Sequence, residues 1–271
     1  MKKMTKILTM AMALTIGATS AAMATPSTQI WIPSTDCQAF GTFHLGIDNY
    51  IRADRRSTPN GQVRDTNVYD IGPEAGFLPW DKLQGEVGFD FLGNSTEPND
   101  SHPWSGNIKI ATPEDSLFKY SPAIAVGGYN LGPVQDAATA PLVTSGQNIV
   151  YGLVAKTLPA FGAVPSLGRV SAGWYHGSER ALPDGNPNPY FVKASNEGVL
   201  LSWDRTMSEI SDKLWMAVDY MGGHNVDGAL NVGFSYNFAK NVSVIFGYDI
   251  YTKKQLAGQN TFTTQLDINF P

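Results

Sequence analysis

Asp48, Asp70, Glu74, Glu86, Asp90, Asp204, Asp219, Asp249 and Asp267 share a local setting. Each lies in a stretch where every second residue is mostly apolar, and each belongs to the alternate, polar set. Successive side chains of an extended strand point to opposite faces, so these acids are expected on the polar side of β-strands. Lys109, Lys156, Arg169 and Lys213 belong to the same polar sets. A shared wall with that many acids and so few bases would concentrate cations and raise the barrier for anions. The competing expectation is that acids and bases pair, together with Tyr and Ser hydroxyls, into a packed network with no continuous path. Both dispositions stay open on the sequence.

Other chemistries need constellations that the sequence supplies poorly. There are four histidines, His44, His102, His176 and His224, and only His44 belongs to a polar set of a strand. Ser178 and Glu179 follow His176 closely, which invites a hydrolase reading, but consecutive loop residues rarely orient as nucleophile, base and acid. Asp204 and Asp219 stand on neighbouring segments and could work as an acid–base pair; ordinary wall charge explains them as well. Asp36, Glu97, Asp100 and His102 do not have the spacing of a calcium or zinc site. The expectation is no enzyme, no metal and no cofactor. Cys37 is the only cysteine, so no intramolecular disulfide can form, and it is read as an incidental thiol near the first strand.

The elements that must carry these residues are twelve period-two segments: 40–51, 67–77, 83–92, 107–112, 122–130, 148–156, 168–176, 199–205, 213–221, 228–237, 241–251 and 261–270. The last is the cleanest, with Phe262, Thr264, Leu266, Ile268 and Phe270 against Thr263, Gln265, Asp267 and Asn269. Segments of about ten residues fit a bilayer crossed by tilted strands. The apolar sets carry almost no charge; Arg205 is the exception, at a strand end where it can reach the interface. Aromatic residues gather at two levels, Phe89, Phe91, Trp174, Tyr220, Tyr248 and Phe262 at one, Phe43, Phe77, Trp203, Tyr236 and Phe270 at the other. Connections alternate between short ones averaging about 7 residues and long ones averaging about 14, the asymmetry expected of periplasmic turns and external loops.

The ends and the composition set the compartment. Lys2, Lys3 and Lys6, the apolar run Ile7–Ala18 and the small-x-small triplet Ala22-Met23-Ala24 read as a secretory signal peptide over 1–24. Its removal would move the net charge from −5 to −8, since three lysines leave and no acid does. An acidic exported chain is a poor nucleic-acid binder. At 42% apolar residues the composition fits a soluble protein or a barrel equally, because half of a barrel's strand residues face a polar interior. Residues 25–38 are set down as a periplasmic segment, with entry into the barrel as a partial plug the other disposition, and 39–271 as the barrel.

These features resemble Gram-negative outer-membrane β-barrel proteins, porin-like ones above all. The likeness rests on the signal peptide, the twelve segments, and the ending Phe262, Leu266, Ile268 and Phe270. The resemblance implies an all-β, antiparallel, up-and-down transmembrane barrel of about twelve strands, located in the bacterial outer membrane. It implies that this ending is an assembly signal read by the barrel-assembly machinery after passage with periplasmic chaperones. Pro271 departs from the pattern, in which the aromatic is usually last. The expected function is a channel for small cationic or neutral solutes, lined by Asp48, Asp70, Glu74, Glu86, Asp90, Lys109, Arg169, Asp204, Lys213, Asp219, Asp249 and Asp267. A closed barrel acting through its external loops, a barrel hydrolase and a secreted β-sandwich are the alternatives.

Overall fold

A computed structural model describes residues 27–59, 61–95, 100–133, 145–160, 162, 166–182 and 195–270. The expected signal peptide and Pro271 lie outside these residues. Alternation of apolar and polar side chains produces fourteen strands: β1 (Phe43–Arg52), β2 (Arg56–Thr58), β3 (Gly61–Val63), β4 (Val68–Gly76), β5 (Gln84–Asn94), β6 (Trp104–Thr112), β7 (Ala123–Leu131), β8 (Ile149–Thr157), β9 (Arg169–His176), β10 (Glu197–Thr206), β11 (Leu214–Met221), β12 (Ala229–Ala239), β13 (Val242–Tyr251) and β14 (Thr261–Phe270). The short β2–β3 hairpin stands apart; the other twelve pair with their sequence neighbours, antiparallel throughout.

The closing pair is β1 with β14, where Phe43 faces Phe270 and Arg52 faces Thr261. With every edge paired, no row of backbone donors is left open to lipid, which is the condition for strands to span a bilayer. The twelve barrel strands match the twelve period-two segments one for one. The end near Phe43 carries connections of 2 to 11 residues, while the opposite end carries connections of 7 to 20. We call these the inner and outer ends. The outer connection 252–260 contains a single helical turn, Lys254–Ala257.

The outer surface explains the barrel's solvent. Val87, Val126, Val150, Val154, Leu201, Val218, Val232 and Phe234 are all exposed on it. Among described strand residues the outward set carries charge only at strand ends, at Glu197 on the outer end and Lys156 and Arg205 on the inner end. A charge at mid-bilayer costs about 2–4 kcal/mol, so this bare band is what lipid selects. The chain is a transmembrane β-barrel of the outer-membrane type.

One element departs from the expected layout. Residues 27–38 do not lie below the barrel as a periplasmic segment; they run inside it. The segment folds on itself, with Gln29 N–H donating to Ile32 O (2.8 Å) and Ser34 N–H to Ser27 O (3.1 Å). Its apolar tip sets the interior packing: Ile30 against Trp215, Ala217 and Ile245, and Ile32 against Ile149, Tyr151, Leu153, Tyr175, Leu182, Leu200 and Met221. It leaves at the inner end past Gly76, where any Cβ would sit 2.1 Å from Ala39 O.

Candidate functional site

The barrel interior divides into a plugged side and an open side. On the plugged side, lumen-facing polar residues hold the N-terminal segment. Asp219 on β11 is 1% exposed, and its Oδ2 accepts from the Ile30 and Trp31 amides at 2.8 and 2.9 Å. Asn231 on β12 donates to the other oxygen at 2.6 Å. Gln265 Nε2 donates to Ile30 O at 2.7 Å, and Gly233 and Gly247, paired across β12 and β13, leave the wall flat where Ile30 lies. Asp204 accepts from Gln29, Arg169 and Trp215, and Arg169 also reaches Asp36 at 2.6 Å. Lys109 on β6 is 2% exposed, pairs with Glu86 at 2.8 Å and donates to Ser27 O at 2.9 Å. Glu86 in turn accepts from the Gln38 amide at 2.7 Å. Ser27 Oγ donates to Glu74.

These contacts satisfy polar groups that would otherwise be buried unpaired, which is why a segment with no strand period stays ordered inside. They also reassign two candidates. Asp204 and Asp219 are not an acid–base pair facing a substrate; both are anchors for the plug. Cys37 is a buried free thiol packed with Ala111 and Ala125.

The open side is a cavity of about 800 Å³. One wall is β1, β4, β5 and β6, with His44, Asp48, Tyr50, Asp70, Glu74, Glu86, Asp90, Asn107 and Lys109; the facing wall includes Ser27, Ile30 and Trp31 of the plug. The cavity reaches the outer connections through Arg56, Arg64, Arg180, Asp227 and Lys254. Low in it, His44 lies between two carboxylates, 3.4 Å from Glu74 and 3.3 Å from Asp267. Higher up, Trp31 meets Tyr50 and Tyr251 edge to face at 5.1 and 5.8 Å. Asp227, in the outer connection above, accepts from Gln147 and carries a carboxyl that burial pushes up to about 7, against the pull of that hydrogen bond.

Of the expected lumen-lining set, Asp48, Asp70, Glu74, Glu86, Asp90, Lys109 and Asp267 line the cavity. Arg169, Asp204, Asp219 and Asp249 face inward but are covered, the first three by the plug and Asp249 by Thr261, whose hydroxyl it accepts at 2.6 Å. Lys213 is not in the lumen: it precedes β11 and is exposed in an inner turn. Lys156 also leaves the set. Val150 and Val154 share its parity and point outward, and it pairs with Glu114 at 2.9 Å on the inner rim. The lumen therefore holds fewer bases than the sequence suggests. Of the two dispositions open for residues 25–38, the described part, 27–38, takes the one inside the barrel, and Gln265 faces inward as its parity implies; Tyr50 is the interior residue that the sequence reading does not single out.

The hydrolase constellation does not assemble. His176 faces Glu197 at 3.6 Å and Asn196 at 3.4 Å on the exposed outer rim, while Ser178 turns to the amides of Arg180 and Ala181. Among the described residues no group of three or more His, Cys, Asp or Glu is placed to hold a metal. Phe262, Leu266, Ile268 and Phe270 all lie on the outward face of β14, beside β1.

No family model and no curated protein matches the chain. Among solved structures it is similar to an outer membrane channel from Pseudomonas putida F1, at 11% identity over 94% of this chain and 98% of that one, with a TM-score of 0.46. It is also similar to Salmonella typhi OmpF in complex with daunomycin (9% identity, 84% and 97% covered, TM-score 0.37) and to Neisserial surface protein A (12%, 85% and 97%, 0.22). Likenesses this loose carry no argument about function, and the barrel rests on its own strand pairing.

Proposed function

We propose that this protein is a porin-like channel of the bacterial outer membrane, passing small cationic or neutral solutes through the space that residues 27–38 leave free. The single observation that carries the reading is the acidic cavity: Asp48, Asp70, Glu74, Asp90 and Asp267 line it, with only His44 and Lys109 as bases at their level among the described residues. Charges in a confined, low-dielectric space act strongly on a permeating ion. A twelve-stranded barrel is wider than the eight-stranded ones that side chains fill and narrower than the sixteen-stranded open porins, so an internal segment can narrow it without filling it. Purified protein in a planar bilayer tests this. The reading expects discrete conductance steps and a cation-selective reversal potential in a potassium chloride gradient; anion preference refutes the selectivity, and a silent bilayer refutes the channel.

The plug's anchoring favours a second reading, a barrel closed at rest whose external loops do its work. Its polar backbone is held by at least Asp219, Gln265, Lys109 and Glu86. Under that reading the full chain is silent in a bilayer, and only a variant lacking 27–38 conducts.

A further inference from the structure

The cavity has an ordered charge profile along its depth. At the bottom, the two bases are used: His44 sits between Glu74 and Asp267, and Lys109 pairs with Glu86. Above them come Asp48, Asp70 and Asp90, on the adjacent strands β1, β4 and β5. Asp48 stands directly opposite Asp70 in the ladder. Their hydrogen-bonding partners are neutral: the Tyr50 hydroxyl lies 3.4 Å from Asp48, and Asn107 Nδ2 donates to Asp90 at 2.8 Å. Asp70 Oδ1 is buried and accepts no hydrogen bond among the described residues. Among the described residues no ion pair takes any of these three carboxylates, and His44, which acts on Asp48 and Asp90 from below, is held by Glu74 and Asp267. Buried acids in that state cost free energy unless something charged or protic meets them.

The mouth has the opposite sign. Arg52, Arg56, Arg64, Arg180 and Lys254 line its outer part, against Asp65 and Asp227. Arg56 is already taken by Asp65 at 3.2 Å, and Arg52 lies over the Tyr251 ring, 5.3 Å from its centroid. Between the two poles lie the rings of Trp31, Tyr50 and Tyr251. Asp48 and Arg52 are four residues apart on one strand, which is about 13 Å at the rise of a strand. A bare metal cation uses only the acids and gains nothing from the collar above them. A solute with an ammonium at one end and a carboxylate at the other satisfies both poles, its stem lying along the aromatic wall.

We infer that the cavity binds linear zwitterions whose ammonium and carboxylate stand roughly 10 Å apart, the length of a short extended peptide at about 3.3 Å per residue. The ammonium lies among Asp48, Asp70 and Asp90, and the carboxylate lies under Arg64 and Lys254. This rests on the channel reading only for the passage of such a solute; binding requires the cavity alone.

The test uses trialanine as probe, titrated calorimetrically into the purified full chain in detergent at low salt. N-acetyl-trialanine, trialanine amide, the doubly blocked peptide and the diamine putrescine are titrated alongside. Trialanine is expected to bind, and blocking either end to weaken it at least tenfold. Asp48→Asn, Asp70→Asn and Asp90→Asn together should abolish the effect of acetylation, and Arg64→Gln with Lys254→Gln that of amidation. Retention of heat-modifiable gel mobility shows that each variant is folded. Equal affinity for blocked and unblocked peptides, no binding at all, or tighter binding of putrescine than of trialanine overturns the inference. Bilayer conductance of the same preparation separates the two claims. Conductance without trialanine binding sinks this inference alone, while trialanine binding in a silent barrel sinks the channel reading and leaves the cavity as a closed receptor.

Discussion

Replacing Asp219 with alanine removes the deepest polar anchor of the internal segment. Its carboxylate accepts from Ile30 N–H, Trp31 N–H and Asn231 Nδ2 at 2.8, 2.9 and 2.6 Å. Hydrogen bonds to a charged partner contribute about 1.5–3 kcal/mol each, and the buried donors left behind carry their own penalty. Counting only the two bonds to the segment, docking weakens by roughly 3–6 kcal/mol, or about 10²–10⁴ in the undocked fraction, since 1.4 kcal/mol is tenfold. The apolar anchors remain, at about 1.5–3 kcal/mol each for Ile30 and Ile32, so the segment is loosened rather than expelled. Two assays read this. In a bilayer, the Asp219→Ala variant should show larger or more frequent conductance steps than the parent. In detergent, chymotrypsin should cut after Trp31 far faster, detected by mass spectrometry. Asp219→Asn, which keeps one acceptor, should fall between. Identical conductance and identical cleavage in parent and alanine variant would show that the segment is not held as described.

Other perturbations follow from the same geometry. Lys109→Met leaves Glu86 buried without its cation and Ser27 O without a donor; breaking a buried pair costs about 3–5 kcal/mol, and the temperature of heat modification on gels should drop accordingly. Val232→Arg, on the bare outer band, should cost about 2–4 kcal/mol in folding from urea into bilayers, whereas Lys240→Arg, exposed in the inner turn after β12, should leave it unchanged. Asp227 holds its proton up to about pH 7 in the folded barrel, against about 4 for an ordinary carboxyl. The folded state therefore binds more protons across that window, and the connection 222–228 should dock less firmly as pH rises from about 4 to 7, then level off. Hydrogen exchange of the Trp31 indole, which donates to Asp227 O at 3.1 Å, should speed up over that range, and Asp227→Asn should flatten the profile.

Much of the barrel was legible because lipid imposes a strict two-residue period. In β14 every outward residue from Phe262 to Phe270 is apolar or threonine, and every acid or amide faces in or lies at the strand end. Where side chains are small or one polar residue ends a strand, the signal fades. The charge of Lys156 suggests an inward place, yet Val150 and Val154 fix its parity outward, and it lies at the rim where water is near. Lys213 shares parity with Trp215 but precedes the strand, so parity gave it no wall to line. The segment 27–38 has no period at all, and its place is decided by partners as distant in sequence as Asp219 and Gln265. The acids were readable as inward-facing, but not their sorting: Asp204 and Asp219 hold the plug, while Asp48, Asp70 and Asp90 face the remaining space.

That sorting is the core of the account, and a reversal potential tests it most directly. In a planar bilayer under a tenfold potassium chloride gradient, the parent should give a cation-selective potential. Asp48→Asn, Asp70→Asn and Asp90→Asn together should move it toward zero or beyond, with conductance steps retained. An unchanged potential in that triple variant, or an anion-selective parent, would contradict the claim that these three carboxylates set the field of the open path.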